Sequence, residues 1–439
     1  MVVINGINVR HCMLKKINEN AIAKNIFLVA SGTAGAQIIA VASMPIITRM
    51  YGPEAFGILG MFNAIVAVLG PIMALGYAAA IVLPKSDGEA KCIAAISYLL
   101  VLGMTAVIAL SVLVINLFDI GGLSNGEMWW VLLATPLAAY LYGWQNISRY
   151  FATRVRKFRY ISGGNFISAG LGQLVQIIMA FVVPISMFLI LGQLLSIGIK
   201  ALIFHLATRG DARWRGWGWR YFRGRKKRLG FISNKYSDFP KYRAPQILFN
   251  AATLSLPALM LGMFFSAAAV GFYSLARTVL GLPISLVGQA VQDVIYPYFN
   301  DFNGKSNSNG FFKAYCYSVL GLALIGGVGF LPIVFWGQEL FGFVFGVEWA
   351  EAGVYAAVLV PWLWLMLATR PSIAALPVLH LQKWFLWFDV AGTLFKVIGL
   401  FFGFFFFNSA LLAVGLFSLI GALMYVGLLG FVGCKIRQA

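Results

Sequence analysis

Runs of about twenty apolar residues follow one another along almost the whole of this 439-residue chain, separated by short polar breaks. A helix needs about twenty such residues to cross a hydrocarbon core roughly 30 Å thick. Overall, 61% of the residues are apolar and 11% charged. A soluble domain of that make-up would expose large apolar patches. Several runs hold Gly and Pro in their interiors, which membrane helices tolerate because neighbouring helices satisfy the freed backbone groups. The runs are continuous, not alternating, so a β-barrel does not fit. The pattern predicts an all-α polytopic membrane protein of about twelve transmembrane helices. The spans fall near 26–48, 57–82, 92–117, 129–151, 161–182, 184–206, 244–267, 271–297, 313–336, 353–379, 384–406 and 409–433. Only Val183-Pro184-Ile185-Ser186 separates the fifth from the sixth.

Charge tests this division, because Lys and Arg collect in the short cytoplasmic loops. A cytoplasmic N-terminus carries Arg10, Lys15, Lys16 and Lys24, and every second connection is then basic. Lys85 and Lys91 come first, then Arg154, Arg156, Lys157 and Arg159. Twelve more follow from Arg209 to Arg243, then Lys305 and Lys313, Lys383, and Lys435 and Arg437. The opposite loops hold Glu54, Asp119, Glu127, Glu339, Glu348 and Glu351, with Arg49 as their basic residue. Both termini are therefore expected in the cytoplasm. The net charge of +19 is this bias, together with attraction to anionic lipid headgroups, and not a sign of nucleic acid. Trp214, Trp217 and Trp219 among the arginines of 207–243 fit an interfacial amphipathic linker. Cys12, Cys92, Cys316 and Cys434 form no C-x-x-C pair, so neither disulfide nor metal is indicated. The first span would serve as the insertion signal, and residues 1–12 look dispensable.

The basic linker divides the spans six and six. Ser43-Met44-Pro45 recurs 212 residues on as Ser255-Leu256-Pro257, and at that offset Pro71-Ile72, Gly76, Ala78 and Val82 meet Pro283-Ile284, Gly288, Ala290 and Val294. The prolines stand 26 residues apart in both halves. Two six-helix halves with an even span count would relate by a pseudo-two-fold along the membrane normal, with substrate near the midplane. The expected organisation is an N-terminal segment 1–25, a lobe 26–206, a linker 207–243, a second lobe 244–433 and a tail 434–439.

The stretch Gly32-Thr33-Ala34-Gly35-Ala36-Gln37, followed by Pro45-Ile46-Ile47-Thr48-Arg49-Met50-Tyr51-Gly52-Pro53-Glu54-Ala55-Phe56-Gly57, resembles the polysaccharide-transport branch of the multidrug/oligosaccharidyl-lipid/polysaccharide (MOP) superfamily. Ala80-Ile81-Val82-Leu83-Pro84-Lys85 and Phe272-Tyr273-Ser274-Leu275-Ala276-Arg277 add to the likeness. It is similar to Wzx-type oligosaccharide flippases. The resemblance implies a non-enzyme of the bacterial inner membrane that turns an undecaprenyl-pyrophosphate-linked sugar unit from the inner to the outer leaflet. Its partners would be that lipid-linked oligosaccharide and membrane lipids, with a polysaccharide polymerase and a chain-length regulator as further ones. No cofactor, metal or nucleic acid is expected.

A charge inside a span costs several kcal/mol unless it faces protein or water. Lys396 lies mid-span in the eleventh, with Asp389 and Thr393 at i−7 and i−3 on one face. Arg370 lies in the tenth span beside Pro371, and Arg277 in the eighth. Ser285, Gln289, Gln292 and Tyr296 form a polar stripe with Asp293 beside it, and Asn165, Gly172 and Gln176 form another. Lys396, Arg277, Arg370, Gln289, Gln292, Asn165 and Gln176 are the candidate substrate-binding residues of a cationic cavity. Asp389 and Asp293 are candidate coupling groups or counter-ions. The plainer reading makes Lys396 and Asp389 a buried structural ion pair. His380 reads as an interfacial histidine.

Two rivals remain. Cation-coupled multidrug exporters of the same superfamily carry carboxylates in the first helices, and none lies within the first two spans here. A membrane polymerase or glycosyltransferase on the same carrier would need catalytic acids or a metal site. The outer loops are short and hold no Asp-x-Asp. No phosphate-binding Gly-rich loop with its lysine points to ATP.

Overall fold

The computed structural model describes residues 28–118, 127–209, 211, 226–304, 308–379 and 381–438. Twelve long helices account for most of them. We label them α1 (Leu28–Met50), α2 (Pro53–Ile72), α3 (Asp87–Leu117), α4 (Met128–Arg154), α5 (Phe158–Ala180) and α6 (Ser186–Arg209). The second set is α7 (Ala244–Phe264), α8 (Ala267–Gly304), α9 (Ser308–Phe345), α10 (Ala350–Ala368), α11 (Gln382–Phe407) and α12 (Ala410–Gln438). A further segment, Arg370–Val378, continues α10 beyond a break at Thr369, which precedes Arg370-Pro371. Proline removes a backbone donor and restricts the residue before it, so the break falls there. Among the described residues there is no strand, and ten helices are long and apolar enough to cross a membrane. The two that fall short, α4 and α5, carry Gln145, Asn146, Arg149, Asn165, Gln173 and Gln176. Cys12, His380 and linker residues 212–225 lie outside the described residues.

The chain separates into two compact units. The first takes Met1–Ser43, Val66–Val183 and Met187–Ala251; the second takes Met44–Ile65, Pro184–Ser186 and Ala252–Ala439. The C-terminal end of α1 and most of α2 thus belong to the second unit.

In the first unit a core runs from Met73 and Ile81 through Ile93, Val101 and Ile147 to Ile232. Ile232 comes from a short helix, Lys226–Lys235, inside the basic linker. Leu229, Ile232 and Tyr236 pack on the core, and Tyr77 Oη lies 3.0 Å from both the carbonyl and the hydroxyl oxygen of Ser233. This stretch therefore covers protein with its apolar side. Arg154 ends α4 and donates to Asp87, at 2.8 and 3.1 Å, and to the carbonyls of Ile81 and Pro84. α5 and α6 pack through Gly172 and Gly192, where an added Cβ would meet the opposite carbonyl at 3.1 and 2.9 Å. Small residues allow such close approach between membrane helices.

In the second unit the motif that carried the family likeness is a packing device. Pro53 starts α2 at N1, with Glu54 in its first turn, as helix starts favour. A Cβ at Gly271 would meet Pro53 O at 2.2 Å, and one at Gly57 would meet Ala267 O at 1.6 Å. α2 and α8 therefore touch backbone to backbone. Buried Trp349 donates to Thr48 O at 2.8 Å, Thr48 donates to Phe345 O at 3.1 Å, and Arg49 donates to Phe343 O at 2.6 Å. Phe56 and Phe272 set their rings edge-on to Trp349.

The two copies of the repeat differ in backbone. After α2 the chain turns through Leu75 (φ 45°) and Gly76 (φ 78°), both left-handed. The corresponding stretch of α8 passes through Gly288 as unbroken helix.

Candidate functional site

The second unit holds a cluster of charged residues drawn from α8, α10, α11 and α12. Its centre is Lys396, 9% exposed. A glycine face on α11 makes room there: Cβ atoms at Gly392, Gly399 and Gly403 would strike Met424, Ile420 and Ala413 of α12. That close approach brings Phe417 over the ammonium, whose Nζ lies 5.7 Å from the Phe417 ring centre and 5.9 Å from that of Trp362. Trp362 in turn lies on Gly421, where a Cβ would stand 2.5 Å from the indole. Lys396 is thus enclosed by two aromatic faces, each an attraction of about 0.5–2 kcal/mol.

The ion pair of the plainer reading is absent among the described residues: Asp389 is in electrostatic reach of Lys396 but makes no ion pair with it. The Asp389 side chain is exposed, while buried Thr393 donates back to the Asp389 carbonyl at 2.8 Å. Arg277 also lies in reach of Lys396. Its guanidinium donates to Leu254 O, in the turn of α7 that Pro257 disturbs, and stands 6.0 Å from the Tyr273 ring centre.

Arg370 opens the second segment of the broken tenth span. Its Nε is buried without a hydrogen-bond partner among the described residues. It crosses α8 at Gly288, where a Cβ would meet Nε at 2.7 Å. The glycine shared by the repeat is therefore the seat of a guanidinium. Tyr425 on α12 lies in reach of both Arg370 and Asp389. The cluster so runs Arg277, Lys396, Asp389, Tyr425, Arg370.

The remaining expected residues sit elsewhere. Gln176 is buried in the first unit and donates its amide to Leu189 O at 2.9 Å, bridging α5 to α6. Asn165 donates to Thr33 on α1 at 3.3 Å. Gln289, Gln292 and Asp293 fall on α8, but their side chains lie outside the described residues. Reading charges span by span also missed two cations, Arg149 on α4 and Lys200 on α6. The same rule would have found them. Among the described residues no His/Cys/Asp/Glu group could hold a metal.

The sequence profile of a family described as polysaccharide biosynthesis protein matches residues 46–353. No protein of curated function matches the sequence. Among solved structures, an inward-facing multidrug-resistance MATE transporter of the MOP superfamily aligns with a TM-score of 0.70 at 14% identity, covering 93% of this chain and 94% of the other. The lipid II flippase MurJ, inward closed, aligns at 0.68 and 14%, covering 94% and 90%. A MATE in complex with MaD3S aligns at 0.57 and 15%, covering 94% and 96%. At such identities the likeness is one of fold: a multi-pass helical membrane protein built as MOP transporters are. The chain belongs to the polysaccharide biosynthesis protein family and carries the fold that MOP transporters share.

Proposed function

We propose that this protein is a flippase that carries a diphosphate-linked, lipid-borne sugar unit across the bacterial inner membrane, its basic ends cytoplasmic. The observation that carries the reading is Lys396: a cation enclosed by protein, in reach of Arg277 and joined to Arg370 only through Asp389 and Tyr425, with ring faces against it and no carboxylate in an ion pair. A carboxylate partner would compete with an anionic ligand. Ring faces hold the charge weakly enough to yield it to a phosphate. The transport step would expose this cluster first to one side of the membrane and then to the other. The family match and the fold of a lipid II flippase support a carried lipid-linked substrate.

The test is export of the lipid-linked sugar in cells lacking the native copy. Lys396→Gln should abolish export with normal membrane abundance, and Lys396→Arg should retain part of it. Lys396→Gln with Asp389→Asn should stay inactive. A double variant that exports like the parent would turn Lys396 back into a counter-ion. Efflux of cationic drugs lost in Lys396→Gln, with sugar export intact, would favour the multidrug reading. Orientation is tested by single cysteines: Gly337→Cys should react with an impermeant reagent added outside intact cells, and Ser86→Cys should not.

A further inference from the structure

Arg149 and Lys200 have no place in the cluster above; both belong to the first unit. Arg149 lies five residues before the end of α4 at Arg154, and Lys200 nine before the end of α6 at Arg209. At 1.5 Å per residue they stand roughly 8 and 13 Å in from the basic ends. Their helices are parallel neighbours in this unit: Trp144 meets His205 edge-on at 5.6 Å, and Leu141 lies 3.8 Å from where a Cβ of Gly198 would be. The two cations are within electrostatic reach of each other.

Neither side chain lies on the exposed leucine face of its helix. On α6 the exposed apolar stripe is Leu191, Leu195, Leu202 and Leu206. Lys200 shares the opposite side with Gln193 and Ser196, at i−7 and i−4. On α4 the exposed apolar residues are Leu133 and Leu137; Tyr142, Asn146 and Arg149 share the other side, at i, i+4 and i+7, and there Arg149 is exposed. Tyr142 lies across Gly70 and within reach of Arg149. The stripe on α4 is part of why that helix, like α5, falls short as an apolar span.

Among the described residues no ion pair reaches Arg149 or Lys200, and the two carboxylates of the first turn of α3 are held by others, Asp87 by Arg154 and Glu89 by Lys235. Two neighbouring like charges on adjoining helices repel, and the repulsion is relieved by an anion that accepts from both. A guanidinium fork with an ammonium beside it suits the several oxygens of a phosphate ester. Basic pockets between membrane helices near a basic face take lipid head groups for the same reason.

We propose that Arg149 and Lys200 form a binding site for one phosphate-ester anion of a lipid, on the interior side of the first unit and near its basic end. Because the two side chains face away from the lipid stripe, the ligand is the diphosphate of the carried lipid and not a bulk phospholipid. That choice of source rests on the flippase reading; the anion site does not.

The experiment uses the full chain in phosphatidylcholine nanodiscs and titrates farnesyl diphosphate, farnesol and phosphatidylglycerol. Lys200→Gln and Arg149→Gln should each weaken farnesyl diphosphate about tenfold or more, and the double variant little further, because one ligand is shared. Lys200→Arg should keep most of the affinity, and farnesol should bind all forms alike. Elution as a monodisperse species shows that a variant is folded, and Lys200→Met replaces Lys200→Gln if the latter is not. Unchanged diphosphate binding in folded variants overturns the site. Phosphatidylglycerol that competes equally, and is lost equally in the variants, overturns the carried lipid as its source. If the parent fails to restore export in cells lacking the native copy while Lys200→Gln still loses the diphosphate, the proposed function falls and this site stands.

Discussion

The basic end of the first unit and the interior of the second use cations in opposite ways. Arg154 donates to a carboxylate and two backbone carbonyls, and Lys235 pairs with Glu89 at 2.8 Å. Lys396 has two aromatic rings and no ion pair among the described residues. A paired cation at a rim ties helices together, whereas an enclosed cation without an acid lowers stability and persists where something else requires its charge. On the flippase reading, the difference separates charges that fasten helices from charges kept for a ligand.

The sharpest way to break this comparison is to remove both kinds of charge with a side chain of similar length. Lys396→Met should eliminate export while leaving the melting temperature in detergent unchanged or raised, by the equivalent of about 0–2 kcal/mol. Arg154→Met should do the reverse. It strands half-exposed Asp87 and two carbonyls, at a cost of about 2–3 kcal/mol, and export per inserted molecule should persist. If Lys396→Met destabilises the protein as much as Arg154→Met does, the contrast is lost.

The repeated glycine sharpens it next. Gly76 is held at φ 78°, with Phe239 O 3.2 Å from where a Cβ would sit. Gly76→Ala should therefore cost about 1–2 kcal/mol, read as a lower melting temperature. Gly288 is helical, and its crowding comes from the Arg370 side chain. Gly288→Ala should displace that guanidinium, lowering export several-fold with little loss of stability; a larger melting shift for Gly288→Ala than for Gly76→Ala would reverse the assignment.

The spans were legible because length and apolarity are enough to define a membrane helix. The repeat was legible through Pro45 and Pro257, since prolines mark helix geometry directly. The seat of Arg370 was not, because it joins Gly288 to a residue 82 positions later, and no local pattern announces that contact. The linker helix was hidden by its own charge: Leu229, Ile232 and Tyr236 share one face, but the neighbouring Lys and Arg read as lipid contacts. Arg149 and Lys200 were legible too, since both fall within the expected spans 129–151 and 184–206. The polar stripe on α5 misled in the other direction, for the amide of Gln176 is already engaged by Leu189 O.

The smallest expected effect lies at the Lys235–Glu89 pair, and it bounds what fastening by surface charge can mean here. Lys235 is half exposed and Glu89 a quarter exposed, so water and salt screen the pair. The hydrogen bond to Glu89, with that residue's negative charge, lifts the Lys235 pKa above its ordinary 10.5. A raised lysine contributes stability that is fully present below 10.5 and is lost as pH climbs through the folded value. Between pH 6 and pH 9, Lys235→Gln should therefore leave the dependence of melting temperature on pH unchanged, any offset staying constant across that range. Above the ordinary lysine range the parent should lose its small advantage and the two curves should converge. Because Leu229, Ile232 and Tyr236 hold the same helix by apolar contact, Ile232→Ala should lower the melting temperature further than Lys235→Gln at every pH. If Lys235→Gln has the larger effect, charge, and not its apolar face, holds the linker helix in place.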